Sequence, residues 1–258
     1  MPTFFITLNP WFVAVGLNSL LLPLAILAPK KLLTPMGLAH AWLLGVLLWG
    51  TLGWPGYLVV MFYFLVGSAV TRIGLAAKEA AGIAEARAGA RGPENVWGSA
   101  LTATVLALMT LLPPAYLPIP IPLLLLGYVA SFSTKLSDTC ASEVGKAYGQ
   151  RTFLITTFQA VPRGTEGAVS LEGTLAGIVA SLAIATLGWA VHLIDGVGVL
   201  LCAIAALVAT SLESVIGATL QTRFAWLTNE VVNGINTTIG ALVAILLGLL
   251  VTPLGWGN

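Results

Sequence analysis

Residues 174–193 read TLAGIVASLAIATLGWAVHL, twenty positions with no Asp, Glu, Lys or Arg. At a helical rise of about 1.5 Å per residue such a run is about 30 Å long, the thickness of a bilayer's hydrocarbon core. Its apolar residues do not alternate with polar ones, as those of a lipid-facing barrel strand would, so it reads as a membrane-spanning helix. Seven runs of similar character accompany it, at about 10–28, 36–53, 55–71, 97–113, 119–136, 196–212 and 231–252. Over all 258 residues hydrophobic side chains make up 58% and charged ones 8%, where a soluble domain carries about 25% charged residues. The expected fold class is all-α: a polytopic integral membrane helix bundle of about eight transmembrane helices, forming one domain over residues 1–258.

The cations orient that bundle. All eleven Lys and Arg residues fall in alternate connections: Lys30 and Lys31; Arg72, Lys78, Arg87 and Arg91; Lys135, Lys146, Arg151 and Arg163; and Arg223. The remaining connections and both tails carry none. The positive-inside bias then places both termini outside and the long loops in the cytoplasm. The opening residues, MPTFFITLNPWF, have no basic stretch before the first run, so 10–28 is expected to be a retained span and not a cleaved signal. Nine of the ten acids lie on the basic side as well, Asp195 being the exception. With a net charge of only +1, one face crowded with both signs suits a ligand with a charged head and an apolar tail.

The polar face is expected to be built from two segments, about 72–97 and 137–173. The second reads SDTCASEVGKAYGQRTFLITTFQAVPRGTEGAVSLEG. Charge held beside lipid is costly and usually functional. Asp138, Ser142 and Lys146 are four apart and share one face if the span at 119–136 continues as helix, with Glu143 adjoining. Gly145 and Gly149 would let backbone approach a ligand. Two Gly/Thr turns follow, Arg163-Gly164-Thr165-Glu166-Gly167 and Glu172-Gly173-Thr174, the second opening a span; such turns present N–H groups and hydroxyls to phosphate. The bland alternative is a re-entrant loop whose glycines only permit tight helix packing. The first segment, Ala-rich, has helical potential up to Gly89 and breaks at Arg91-Gly92-Pro93, with Arg87, Arg91 and Asn95 recurring at helical spacing near the turn. Near the C-terminus Glu213, Gly217 and Gln221 form one stripe and Asn229, Asn233 and Asn236 another.

Other chemistries find little support. Cys140 and Cys202 have no metal-ligand or disulfide spacing, and His40 and His192 lie in apolar runs, so neither a zinc pattern nor a Ser-His-Asp set can be assembled. No GxxxxGK[ST] or GxGxxG occurs. The basic loops lack aromatic interleaving, so no nucleic-acid partner is expected. Carboxylates, cations and Gly/Thr turns on one membrane face are the components of metal-assisted phosphoryl transfer, which needs Mg²⁺ held by acids and cations around the travelling charge.

These residues also carry a family likeness. The order Asp138, Ala141, Ser142, Gly145, Gly149, then Glu172, Gly173, Thr174 and Gly177 resembles the motif of the CTP-dependent polyprenol, dolichol and phytol kinases. The segments TR-x-G (71–74), GIAE (82–85), RGP-x-NVWGSA (91–100), SDTCASE (137–143), PRGTEGAVSLEGT (162–174) and ESVIGATLQ (213–221) are similar to the phytyl-phosphate kinase group of plants and cyanobacteria, related to transmembrane protein 19. The resemblance implies a multi-pass kinase that transfers phosphoryl from a nucleoside triphosphate, CTP in this group, to phytyl monophosphate, in a bacterial plasma or thylakoid membrane. On that basis Asp138, Glu143, Glu172 and Glu213 are the expected Mg²⁺-binding and catalytic acids. Ser142, Gly145, Lys146, Gly149, Arg151, Arg163, Gly164, Thr165, Gly173 and Thr174 would hold the donor. Arg72, Lys78, Arg87, Arg91, Asn95, Asn229 and Asn233 would take the acceptor phosphate, its chain lying between spans at the lipid boundary. Three alternatives stand beside this reading: a kinase for a free prenyl alcohol, a lipid-phosphate cytidylyltransferase, and a transporter with a carboxylate-lined site.

Overall fold

Among the described residues five helices of the bundle start on a side chain that takes up an orphan backbone N–H: Asn9 accepts from Trp11, Thr34 from Gly37, Ser170 from Gly173, Asp195 from Gly198 and Thr228 from Val231. Pro10, Pro35 and Pro93 stand at the first helical position, where a missing N–H costs nothing. In the computed structural model, which describes residues 9–117, 119–221 and 223–251, the chain forms α1 (Pro10–Leu27), α2 (Pro35–Val70), α3 (Leu75–Ala80), α4 (Pro93–Met109), α5 (Ile121–Tyr148), α6 (Leu171–Ala190), α7 (Gly196–Ile216) and α8 (Asn229–Val251). Five of these, α1, α2, α6, α7 and α8, are long and apolar enough to cross a membrane. At 17 residues α4 is a little short for this measure, and α5 ends in a charged stretch.

The 36 residues of α2 would reach about 54 Å if straight, far more than a bilayer needs. They fold back at Gly53, whose φ of 64° and ψ of −156° break the helix two residues before Pro55. Both ends of α2 consequently meet one residue: Thr34 N donates to Arg91 O (3.0 Å), and Arg91 donates to the Tyr63 hydroxyl (2.8 Å). The runs 36–53 and 55–71 are thus the two arms of a helical hairpin.

At the centre stands α5, sheathed by α2, α4, α6, α7 and α8. Almost every residue from Leu123 to Ser137 is buried. Small residues bring the neighbours close, the usual solution where lipid removes the hydrophobic drive between helices. A side chain added at Gly177 of α6 would strike Ser137, and one added at Gly188 would strike Val129. By contrast α1 packs chiefly on α2 and leaves Phe12, Leu20, Leu24 and Leu27 exposed towards the surrounding lipid.

Three expectations need correction. The all-α class holds except for a small antiparallel ribbon between α5 and α6, β1 (Thr152–Leu154) with β2 (Ala168–Ser170). The run expected to stay helical up to Gly89 forms only α3, because Gly82 turns the chain at φ 69°. Finally, Arg87, Arg91 and Asn95 do not share a helix: Arg87 sits in a 3-10 turn at φ 55°, Arg91 is extended beside Leu33, and only Asn95 lies on α4.

The α5–α6 contact supplies a test. Gly177→Leu is expected to destabilise the folded protein by about 1–3 kcal/mol or more through overpacking, read as a lowered midpoint of thermal unfolding in detergent. Gly16→Leu, at a position with open space around it, should leave the midpoint nearly unchanged.

Candidate active site at the polar end of the bundle

Helix α5 continues past its apolar run, so Asp138, Ser142 and Lys146 do share a face, and that face forms one wall of a cavity of about 610 Å³. The opposite walls come from residues 82–91, from the β2 turn at 164–170, from the end of α7 and from the start of α8. Gly164 (φ 83°) packs on Ile83, and Gly167 (φ 74°) packs on Ser214 of α7 and on Ala218 just beyond it. Side chains at either position would clash, so these two turns can close over the cavity only as glycine. The end of α7 is itself unusual: from Gly217 to Gln221 it winds as a π-helix, a local irregularity common at functional sites.

Lys135 lies at the cavity's base, 7% exposed. It donates to Asp138 (2.5 Å) and to the Asn233 side-chain oxygen (2.7 Å). The carboxyl of Glu213 lines the same cavity near Asp138 and accepts from the Asn236 amide. Asn236 Oδ1 is buried without a hydrogen-bond partner. Higher on α5, Glu143 is ion-paired to Lys78, which also donates to Thr71 O (2.8 Å). Lys146 completes a chain of charges, 3.8 Å from Glu143 and 3.3 Å from Glu85. Burial pushes the Glu143 carboxyl up from its ordinary value, against the pull of Lys78 and Lys146. Burial works to lower the Lys146 ammonium, but Glu85 and Glu143 outweigh it and raise it.

On the far side Arg87 pairs with Glu94 and donates to Asn95 (2.9 Å), holding the Glu94 carboxyl below its usual value. Arg91 differs from its neighbours. Its guanidinium lies over the rings of Tyr63 and Phe64, 5.0 and 5.7 Å from their centroids, a favourable cation–π setting. Among the described residues no carboxylate lies within 4.0 Å of it. A second cavity of about 290 Å³, almost wholly apolar, runs from this point between α1, α2 and α4, and Tyr63, Arg91, Asn95 and Ser99 line both.

The cavity gathers most of the residues singled out from the sequence: Asp138, Glu143 and Glu213; Ser142, Gly145, Lys146, Gly164, Thr165, Gly173 and Thr174; Arg87, Arg91, Asn95, Asn229 and Asn233. Six others stand apart. Glu172 sits in the first turn of α6 and accepts from Gln150 N (3.3 Å), where a helix dipole favours an acid. Gly149 packs against Ser170. Arg163 donates to Ala147 O (3.1 Å), Arg72 reaches Lys31 O (3.4 Å), and Arg151 is exposed. Lys78 is consumed by Glu143. The four acids expected around one ion therefore do not converge: among the described residues no group of three or more His, Cys, Asp or Glu is placed to hold a metal. Only Asp138 and Glu213 stand together. Gly173 meets Ala141 O and Gly145 meets Ser170, so those glycines serve close helix packing, the bland reading, while bordering the cavity. Lys135 was missed as a site residue; its signal was the i,i+3 spacing to Asp138.

A bundle of lipid-embedded helices with a mixed-charge cavity at one end and an apolar groove leading from it defines an integral membrane protein built to handle an amphiphile. The chain belongs to the family described as Integral membrane protein DUF92, which it matches over residues 18–241. It is 68% identical over 237 residues to the uncharacterised membrane protein sll0875 of Synechocystis, covering 92% of this chain and 90% of that one. It is 45% identical over 239 residues to the protein VTE6, chloroplastic, of Arabidopsis thaliana, covering 92% of this chain and 72% of that one. The uncharacterised membrane protein MJ0933 of Methanocaldococcus jannaschii is 30% identical over 212 residues, 82% and 84% of the two chains. The relatives in a cyanobacterium and a plant chloroplast bear out the likeness read from the motifs. No solved structure matches.

The pair Lys78–Glu143 yields a direct test of the electrostatics. Lys78→Met leaves a buried carboxylate without its partner and is expected to cost about 3–5 kcal/mol, measured by thermal unfolding. Adding Glu143→Gln to that variant should restore most of the loss.

Proposed function

We propose that this protein is a membrane-bound kinase that moves a phosphoryl group from a nucleoside triphosphate, CTP by family resemblance, to phytyl monophosphate, giving phytyl diphosphate for tocopherol and related prenyl lipids. The observation that carries this reading is Arg91, a cation with no carboxylate within 4.0 Å among the described residues, at the junction of a polar cavity and an apolar groove. An amphiphile with an anionic head and a hydrocarbon tail is what such a junction accommodates. The motif resemblance and the relative in a chloroplast support the specific acceptor.

The donor triphosphate belongs on the α5 side, facing Lys146, Ser142 and the turn at Gly164-Thr165, with Arg87 and Arg91 taking the acceptor phosphate opposite. Asp138 and Glu213 would hold Mg²⁺: both carboxyls line the base of the cavity, and the unpaired Asn236 oxygen lies beside Glu213. When bound, the ion would offset charge on the transferring group. Lys135 holds the Asp138 carboxylate in place. The acceptor oxygen attacks the γ-phosphorus, the bond to the bridging oxygen breaks, and the nucleoside diphosphate leaves. A phosphate monoester has a second pKa near 6, so its oxygen is already ionised and no strong base is required. Neither histidine is at hand: His40 accepts from Trp97 (2.8 Å) and His192 follows α6 at the other end of the bundle. The two arms of α2 with α1, α4, α5, α6, α7 and α8 would make eight crossings, both termini opposite the cavity and the cavity facing the cytoplasm, in a plasma or thylakoid membrane.

Purified protein with Mg²⁺ and labelled CTP is expected to convert phytyl phosphate to phytyl diphosphate with release of CDP, leaving phytol untouched. Pyrophosphate release would mean cytidylyl transfer, turnover of phytol an alcohol kinase, and nucleotide-independent flux in liposomes a transporter. Asp138→Asn should lose turnover while remaining folded. Arg91→Ala should raise the acceptor KM about 10-fold or more, the scale of a lost hydrogen bond to a charged group, with the donor KM little changed; the opposite pattern would exchange the two sites.

A further inference from the structure

The apolar groove beyond Arg91 has a floor. Asn18 of α1 points into it, 6% exposed, donating to Ala14 O (2.9 Å) and accepting from the Tyr57 hydroxyl (3.0 Å). The position of Asn18 depends on Gly45, where any side chain would occupy the space of the Asn18 amide. Tyr57 is held edge-on by Trp49, ring centroids 5.2 Å apart. The polar pair is thus fixed from three helical segments and closes an otherwise apolar channel. Its depth follows from the helices. Gly37 and Gly67 lie against Arg91; Gly45 is eight residues below the first and Tyr57 ten below the second, which at 1.5 Å per residue is about 12–15 Å.

Granting the kinase reading, on which the identity of the acceptor rests, we infer that the groove between α1, α2 and α4 receives only the phosphate-proximal part of the prenyl chain, and that Asn18 on Tyr57 turns the remainder out into the bilayer. A phytyl chain has sixteen carbons in line, and at carbon–carbon bonds of about 1.5 Å it is longer than the groove when extended. Burying hydrocarbon against the hydrogen-bonded Asn18 amide gains less than burying it against lipid. The exit lies past α1, whose outward side chains are exposed and which packs chiefly on α2. Branching and saturation of the first units are then read tightly, and the far end of the chain is not.

The test uses the unaltered protein in lipid nanodiscs with two prenyl monophosphates, one carrying a diazirine on the first isoprene units and one at the chain terminus. The proximal probe is expected to label groove residues such as Leu38, Ala41 and Met61, and the terminal probe to label lipid or the outer face of α1. Turnover of phytyl phosphate with the proximal probe labelling elsewhere overturns the groove and leaves the kinase reading standing. Labelling in the groove without turnover does the reverse. Terminal-probe labelling beyond Asn18, at Trp11 or Leu48, overturns the floor. As a second measure, Ala41→Phe, which fills the groove, should raise KM for phytyl phosphate at least 10-fold and move KM for CTP less than 2-fold; equal kinetics would sink the assignment.

Discussion

Lys135 carries a positive charge almost out of contact with water, and the polar end of the bundle is arranged around neutralising it. A lone ammonium in such a place is prohibitive, so α5 supplies Asp138 one turn on, α8 supplies Asn233, and α7 brings Glu213 alongside. These partners come from three helices, and their meeting fixes the register of α7 and α8 against α5. The same arrangement sets two carboxyls beside one cation at the base of a cavity, and such a pair suits a ligand that brings further positive charge. In the proposed reaction that ligand is the metal accompanying a nucleotide.

A second ion pair works differently. Lys78 and Glu143 are buried almost completely, and their contact joins the segment after α2 to the last turns of α5. Lys78 has no share in the cavity, while Glu143 borders it and passes influence on through Lys146 to Glu85. One pair therefore anchors a loop and the other shapes a binding site, although both are buried Lys–carboxylate contacts on the same helix. What separates them is whether the carboxylate has a further acid at hand: Asp138 has Glu213, and Glu143 has only cations around it apart from the more distant Glu85.

The spans were legible because lipid imposes length and apolarity on each helix separately, so that residues 174–193 announce themselves without reference to the rest of the chain. The extension of α5 was also legible, since Asp138, Ser142 and Lys146 repeat at helical spacing. Glu172 was misplaced because an acid beside a Gly/Thr turn reads alike whether it faces a ligand or takes up a backbone N–H from another segment; only the position of Gln150 decides. Lys135 was passed over because its partners Asn233 and Glu213 are about eighty to a hundred residues away in the chain. The failure of the helix after Ala80 has a local cause, the turn at Gly82, but no periodicity separates a tolerated glycine from a terminating one.

The walls of the cavity are not equally firm, and this bears on how two charged ligands could enter. Glycines bring α6 and α8 close against α5, and α7 packs beside all three, which gives the Lys135 side of the site a fixed frame. The covering segments are anchored at their ends, Arg91 on α2 and Gly167 on Ser214, but 82–85 and 163–166 between those anchors meet the frame and each other at fewer points: Gly164 on Ile83, Lys146 with Glu85, Arg163 with Ala147. Arg87 holds a left-handed backbone conformation that an arginine rarely adopts, strain that the surrounding contacts must offset. Segments with few buried apolar contacts open at low free-energy cost. In the proposed reaction a water-borne triphosphate would enter between the two covering segments, whereas an acceptor confined to the bilayer would slide past α1 to reach Arg91 from the side.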